Sequence, residues 1–141
     1  MPDLSDLISR VEKASDGDRE LDEAIALTLN IYVRERRGKD RQYWFYKVGG
    51  NDYERRSTHR YAGSDGLPFY TASLDAVLTL LPEGWWWSAG VCRRENHASV
   101  GSEIGTVEGE LIFETFGATA PLALLSAILR ARQAMQMEAR T

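Results

Sequence analysis

Residues 68–90 constrain the fold of this chain more than any other segment, and they read PFYTASLDAVLTLLPEGWWWSAG. A hydroxyl at Thr71 or Ser73 precedes an apolar stripe with helical spacing, and such a hydroxyl caps a helix by accepting an N–H of its first turn. Pro82 and Gly84 end that helix, and the tryptophans that follow favour a strand. The segment therefore predicts a capped helix, a turn and an aromatic strand in succession.

The strand carries three adjacent tryptophans, at residues 85–87. Successive side chains of a strand point to opposite faces. Trp86 therefore lies on one face, and the alternate residues share the other: Trp85, Trp87, Ala89 and Val91. Because bare aromatic faces are unfavourable in water, we expect the sheet to be covered on both faces or to meet another subunit on one of them.

Three further helices are predicted from apolar residues at three-four spacing and from capping residues. The first lies between residues 2 and 13. The second is capped by Asp18 and ends near Asn30, with acidic residues in its early turns, where the helix dipole favours them. The third is a long C-terminal helix that is capped by Thr119 and has Pro121 in its first turn.

Strands are predicted at residues 43–48, 99–104 and 106–115, where β-branched and aromatic residues lie between turn signals. The last two form an antiparallel meander with the tryptophan strand, to which a polar turn at residues 93–98 connects them. Residues 53–67 are polar and contain glycine, and they predict a long loop.

Length and composition fit a single domain. The 141 residues include 43% hydrophobic ones, which is enough for a buried core, and no linker composition divides the chain. The sequence therefore predicts an α/β fold of the α+β type over residues 1–141. Its antiparallel β-sheet of about four strands is flanked by α-helices in a sandwich-like arrangement.

Charge and patterning exclude several classes of protein. A net charge of −4 argues against a protein that binds nucleic-acid polymers, which is normally basic. No apolar run approaches the roughly 20 residues of a membrane span, and the N-terminus lacks the apolar core of a signal peptide, so we expect a cytoplasmic protein. One cysteine and two histidines provide neither an internal disulfide nor a zinc-ligand set, so no metal and no other cofactor is expected.

Motifs that carry catalysis are absent from the sequence. Neither His59 nor His97 lies in a nucleophile elbow, and Cys92 follows the apolar strand pattern, where a cysteine usually serves packing. The glycines match neither a phosphate-binding loop nor a dinucleotide-binding motif. We therefore expect no enzymatic activity and no catalytic residue.

Groups suited to a small anionic, aromatic ligand lie at and around two predicted helix N-termini. Such termini attract phosphates, and aromatic rings stack on bases. The candidate ligand-binding residues are Arg56, Arg60, Tyr70, Thr71, Ser73, Trp86, Arg93 and Thr119. A simpler interpretation stays open, because serine and threonine cap helices in most proteins, tryptophan is mostly core material and runs of charge usually face water.

The order of four segments carries a family resemblance. They are RELDEAIA at residues 19–26, PFYTASLDAV at 68–77, a strand that contains tryptophan, and ATAPLALLSAILRA at 118–131. Together they resemble the small phage proteins grouped as the phage ABA sandwich domain. The resemblance covers most of the chain and implies a phage or prophage origin, which places the protein in the host bacterial cytoplasm.

Some phage proteins of similar size and build are sponges that sequester the nucleotide second messengers of bacterial immunity. Thoeris anti-defence proteins trap cyclic ADP-ribose isomers in this way, and others trap CBASS cyclic oligonucleotides. Similarity to this pattern implies an anti-defence protein that is a homo-oligomer and binds such a ligand without cleaving it.

This hypothesis gives each candidate residue a role. The phosphates pair with Arg56, Arg60 and Arg93. The base stacks on Tyr70 or Trp86, and hydrogen bonds near the helix N-termini come from Thr71, Ser73 and Thr119.

Two alternatives belong to other classes. In the first, the protein is a phage structural or protein-interaction module without a small-molecule ligand, and the same aromatic residues bind a partner protein. In the second, it is an enzyme such as a nucleotide hydrolase.

Overall fold

The computed structural model describes residues 3–37, 41–49, 52–54, 62–63, 65–102 and 111–139. Four helices lie within these ranges: α1 (Ser5–Lys13), α2 (Arg19–Thr28), α3 (Leu74–Leu78) and α4 (Ala120–Ala139). Six strands lie there as well: β1 (Tyr32–Arg37), β2 (Arg41–Gly49), β3 (Asp52–Glu54), β4 (Trp85–Cys92), β5 (Glu95–Ser102) and β6 (Leu111–Gly117). The α+β class is therefore confirmed. No helix in the described part of the chain is long and apolar enough to cross a bilayer.

The described strands form two antiparallel sheets, each of three strands in chain order, β1-β2-β3 and β4-β5-β6. The predicted count of about four strands and the sandwich arrangement are not confirmed. The sequence does not predict β1, because YVRERR is mostly charged and runs of charge usually lie in solvated loops. It does not predict β3 either, since Asp52 reads as part of a turn and Tyr53 and Glu54 begin the polar segment that predicts a loop.

The hairpin between β4 and β5 turns more tightly than the sequence predicts. Its turn consists of Arg93 and Arg94, whose φ angles are positive at 51° and 69°. β5 already begins at Glu95, so the predicted polar turn at residues 93–98 is wrong for its last four residues. A two-residue turn with two positive φ angles matches the twist of paired strands, but it is normally announced by asparagine or glycine, and two arginines give no such signal.

Helix α4 is the centre of the hydrophobic core. Its residues 122–129 are all buried and have no solvent exposure. A helix that is apolar all round must be surrounded, and α4 contacts α1, α3 and all three strands of the β4-β5-β6 sheet. The predicted cap is confirmed, since Thr119 Oγ1 accepts the N–H of Leu122 at 3.3 Å.

One face of the β4-β5-β6 sheet packs on α4. Ala98 and Val100 of β5 have no exposure there, and Thr115 of β6 donates its hydroxyl to the carbonyl of Ala123 at 2.5 Å. Strand alternation gives this face the odd-numbered residues of β4 and β6. The helix covers β5 and β6 better than β4, so that Trp87 and Val91 of β4 remain 44% and 73% exposed.

Trp86 lies on the opposite face of this sheet, directly across from Gly101 of β5. A Cβ atom added to Gly101 would lie 2.3 Å from the indole ring of Trp86. The glycine therefore provides the space in which the ring lies flat over the neighbouring strand, a close approach that only glycine permits.

Replacing this glycine is expected to destabilise the fold. Gly101→Ala forces the Trp86 ring or the strand to move, which should lower the free energy of unfolding by about 1–3 kcal/mol. Gly90→Ala is the matched control, because nothing lies within 4 Å of a Cβ at that position in the adjacent strand. Urea unfolding followed by tryptophan fluorescence measures both, and equal losses in the two variants would contradict the packing role.

Arg19 of α2 fixes the segment that precedes α3. Its guanidinium donates to the carbonyl oxygens of Leu67 at 3.0 Å and Pro68 at 3.1 Å, and it lies 4.2 Å from the ring centroid of Phe69. It also donates to the carboxylate of Asp65 at 3.3 Å. One side chain thus connects the second helix to four residues of a distant loop, three through the fork of guanidinium donors and Phe69 through a cation–π contact.

Asp22 is the buried acceptor beside this arginine and is 1% exposed. Its carboxylate accepts Arg19 Nη1 at 2.9 Å and both the N–H and the hydroxyl of Thr71, at 2.7 and 2.8 Å. Burial raises the pKa of the Asp22 carboxyl, because desolvation outweighs the lowering effect of Thr71 and Arg19. The folded chain therefore holds a proton at Asp22 more tightly than the unfolded chain does.

This pKa shift predicts how stability changes with pH. The stabilisation from protonated Asp22 is fully present below the unfolded pKa, near 3.8, and is lost as the pH rises through the raised folded-state pKa. Asp22→Asn removes the titration. The free energy of unfolding of the wild type minus that of Asp22→Asn should therefore decrease as the pH rises.

Urea unfolding at a series of pH values from about 3.8 upwards measures the difference in free energy of unfolding between the wild type and Asp22→Asn. Asp16→Asn is the control for the loss of one carboxylate, because Asp16 is exposed. A wild-type advantage that grows with pH would contradict the burial effect.

Candidate functional site

Strand β6 forms one edge of the β4-β5-β6 sheet. It pairs with β5 on one side, from Ser102↔Leu111 to Asn96↔Gly117, and no described strand pairs with its other side. We call that other side the β6 edge. An edge strand presents unpaired backbone N–H and C=O groups, and it is a template on which another extended chain pairs.

A groove of about 500 Å³ follows the β6 edge. It is lined by five successive residues of β6, Ile112 to Phe116, together with Glu12 of α1 and Arg130 of α4. Successive strand residues point to opposite faces, so a groove that touches five in a row follows the backbone at the edge and does not lie over one face. The groove therefore runs along the direction of the strand.

Glu12 and Arg130, which line the groove beside β6, form an ion pair with each other. Glu12 Oε1 accepts Nε of Arg130 at 3.0 Å and the hydroxyl of Ser126 at 3.1 Å, and Nη2 of Arg130 also donates to it. Both side chains are more than a third exposed, so the pair adds little to stability. The pair matters for the charge of the groove, because the positive charge of Arg130 cancels the negative charge of Glu12.

Glu114 is the remaining charge at the groove. Its side chain is exposed, and no described cation lies within ion-pair distance of it. Glu114 lies midway along β6 with Ile112 and Phe116 two residues away on either side, so the three share the face that points away from α4. Both apolar neighbours are about half exposed, at 48% and 52%.

The β6 edge lacks three of the features by which proteins protect an edge strand. Natural edges carry lysine, proline or a bulge that blocks pairing. β6 reads LIFETFG, with one charged residue, no lysine and no proline, and its pairing with β5 is regular from Leu111 to Gly117. The ring of His97 of β5 lies 5.0 Å from that of Phe116 and supports the exposed phenylalanine from the side.

Two of the residues predicted from sequence to bind a ligand lie inside the protein. Tyr70 is 1% exposed and Thr71 has no exposure. The Thr71 hydroxyl donates to Asp22 and accepts the N–H of Asp18 at 2.7 Å, so it ties the segment before α3 to the start of α2. Asp18 is also the confirmed cap of α2, since its carboxylate accepts the N–H groups of the first turn.

Two others are helix caps. Ser73 Oγ accepts the N–H of Ala76 at 3.3 Å and caps α3, and Thr119 caps α4 as described above. This is the simpler interpretation that the sequence leaves open for these hydroxyls.

The remaining candidates lie at opposite ends of β4 or outside the described residues. Trp86 lies near the start of β4, whereas Arg93 lies beyond its other end, in the exposed turn. Arg93 is at the same end of the sheet as Thr119, because Asn96 at the base of that hairpin donates to the carbonyl of Ala118 at 3.1 Å. Arg56 and Arg60 lie outside the described residues, and none of the candidates within them lines the groove at the β6 edge.

Sequence reasoning missed the groove. Glu12 precedes the other lining residues by 100 positions or more, so only the packing of α1 on α4 and β6 brings it to the groove. The one signal in the sequence is the run LIFETF, in which a single glutamate interrupts an apolar strand. In the described ranges, no group of three or more histidine, cysteine, aspartate or glutamate side chains is placed to hold a metal ion.

Comparison with known proteins adds no relative. No protein-family model matches this chain, and no curated protein and no solved structure is significantly similar to it. The resemblance to the phage ABA sandwich domain therefore stays a prediction, as do the phage origin and the cytoplasmic location.

Proposed function

We propose that this protein is a non-catalytic interaction module that binds another polypeptide as an added strand along the β6 edge. The observation that carries the proposal is the groove, which follows five successive residues of the edge strand. In this mode of recognition the main chain supplies hydrogen bonds and the alternate side chains supply specificity. The proposal places the protein among the interaction modules that the sequence leaves as an alternative.

The length of the groove sets the size of the bound segment and its affinity. Five strand residues span about 17 Å, so the partner contributes a segment of about five residues. Such a segment makes a few backbone hydrogen bonds, each with a net value of about 1 kcal/mol, and burial of Ile112 and Phe116 adds to them. After the cost of association, dissociation constants between about 1 μM and 1 mM are expected, which suits reversible binding.

Backbone methylation of a probe peptide tests strand addition. The probe is the acetylated amide Thr-Val-Thr-Gln-Thr-Val-Thr, titrated into ¹⁵N-labelled protein while amide shifts are recorded. Shifts should be largest in β6. Two further versions of the probe are N-methylated, one at its odd-numbered residues and the other at its even-numbered residues. Because only alternate N–H groups of an added strand face the sheet, one version should lose binding and the other should keep it.

Two variants at opposite edges of the same sheet locate the site. Ile112→Lys replaces a half-exposed apolar side chain that an added strand would cover with a charged one, and it should weaken binding of the probe at least tenfold. Val91→Lys is the matched control, since Val91 is an exposed β-branched residue of β4, and it should leave binding unchanged. Equal effects of the two substitutions, or equal binding of the two N-methylated versions, would refute strand addition at β6.

Nucleotide sequestration is the second candidate function. It is supported by the arrangement at the far end of the sheet, where the exposed Arg93 and Arg94 lie at the same end as the Thr119 cap of α4. Arginines near a helix N-terminus suit a phosphate. In this proposal the protein retains a cyclic ADP-ribose isomer or a cyclic oligonucleotide without cleaving it, as a phage-encoded homo-oligomer.

Heat release distinguishes this candidate from an enzyme. The purified protein is incubated with cyclic ADP-ribose isomers and cyclic oligonucleotides, and the free nucleotides are measured before and after denaturation. Recovery of intact nucleotide only after heating supports sequestration, and altered nucleotide indicates an enzyme. If a variant with both Arg93→Ala and Arg94→Ala still retains the nucleotide, the binding site does not lie at this turn. If the wild type retains no nucleotide, nucleotide sequestration is excluded.

A further inference from the structure

We infer that the strand bound at the β6 edge carries a lysine or arginine opposite Glu114, with apolar residues two positions before and after it. The partner is thus an extended segment of the pattern apolar-x-basic-x-apolar from a different protein. This inference rests on the proposed function and names the chemistry of its partner.

The pattern follows from the face that β6 shows to an added strand. Ile112, Glu114 and Phe116 share one face, and residues directly opposite one another in paired strands point to the same side. An added strand therefore places one residue against each of the three. Two of these positions meet half-exposed apolar side chains, and the position between them meets a carboxylate.

Charge decides the residue at the middle position. Glu12 at the groove is already neutralised by Arg130, whereas Glu114 has no described cation within ion-pair distance, so the described residues of the groove carry one net negative charge. An opposite charge directly across a strand pair is favourable and a like charge is unfavourable. The net charge of −4 on the whole chain also attracts a basic segment as it approaches.

The same carboxylate argues against a second copy of β6 as the occupant. Two copies related by a two-fold axis perpendicular to the sheet keep the same face on the same side, so Glu114 meets a residue that shares its face. In the three central registers that residue is Glu114, Ile112 or Phe116 of the second copy. In the first register, two Glu114 carboxylates of like charge lie opposite each other. In the other two registers, the Glu114 carboxylate is buried against an apolar side chain and has no ion-pair partner there.

A lysine opposite Glu114 should bind about tenfold more tightly than a glutamate there. An opposite charge across the strand pair favours binding and a like charge opposes it, and together the two effects correspond to about a factor of ten in the dissociation constant. The preference should shrink as salt rises towards about 1 M, because the pair is exposed.

Three peptides and three proteins test the inference. The peptides are the acetylated amides of Thr-Val-Thr-X-Thr-Val-Thr with Lys, Gln or Glu at X, and the proteins are the wild type, Glu114→Lys and Glu83→Lys. Dissociation constants come from amide shifts in β6. The wild type should prefer Lys to Gln to Glu, Glu114→Lys should reverse the order, and Glu83→Lys should keep the wild-type order, since Glu83 is an exposed glutamate in the turn before β4.

The outcomes separate this inference from the proposed function. If all three peptides shift β6 equally in the wild type, the inference is wrong and strand addition stands. If none of them shifts β6, both are wrong. Sedimentation of the unliganded protein tests the remaining occupant, because a dimer that Ile112→Lys dissociates and Val91→Lys does not would assign the edge to a second copy and overturn the inference.

Discussion

The fold depends on the burial of one helical segment, residues 122–129 of α4. A helix that is apolar on every side is stable only when other elements surround it, and α1, α3 and the β4-β5-β6 sheet all pack against this one. The groove is a consequence of that arrangement. Because α1 and β6 both contact α4, Glu12 and Arg130 lie beneath the edge strand although they come from opposite ends of the chain.

The elements that sequence predicts well are those with a local physical cause. Asp18 and Thr119 are predicted as caps, and Ser73 is one of two hydroxyls predicted for the third cap. All three accept first-turn N–H groups in the structure, because capping needs only a side chain and the three residues that follow it. The tryptophan strand is predicted for a similar reason, since aromatic residues fit a pleated surface whatever lies beyond it.

What sequence does not predict depends on distant partners. The charged strand β1 is held by its pairing with β2, which no local signal announces. The sequence predicts that both faces of the tryptophan strand are covered or that one of them meets another subunit. Within the chain Trp86 lies over Gly101 while Trp87 is 44% exposed, so the second alternative stays a prediction. Which strand forms an edge is also a property of the whole sheet, so the single glutamate in LIFETFG has meaning only once β6 is seen to lie at its margin.

Thr115 and Gly117 attach the end of β6 firmly to α4. The Thr115 hydroxyl donates to the Ala123 carbonyl, and the backbone of Gly117 lies so close to the helix that a Cβ there would be 2.6 Å from the backbone nitrogen of Ala123. This end of the strand is therefore ordered before any partner arrives. Most of the conformational entropy that binding costs is then lost by the incoming segment. The β6 edge is a preorganised template, and the affinity depends on how much of the free partner segment is already in an extended conformation.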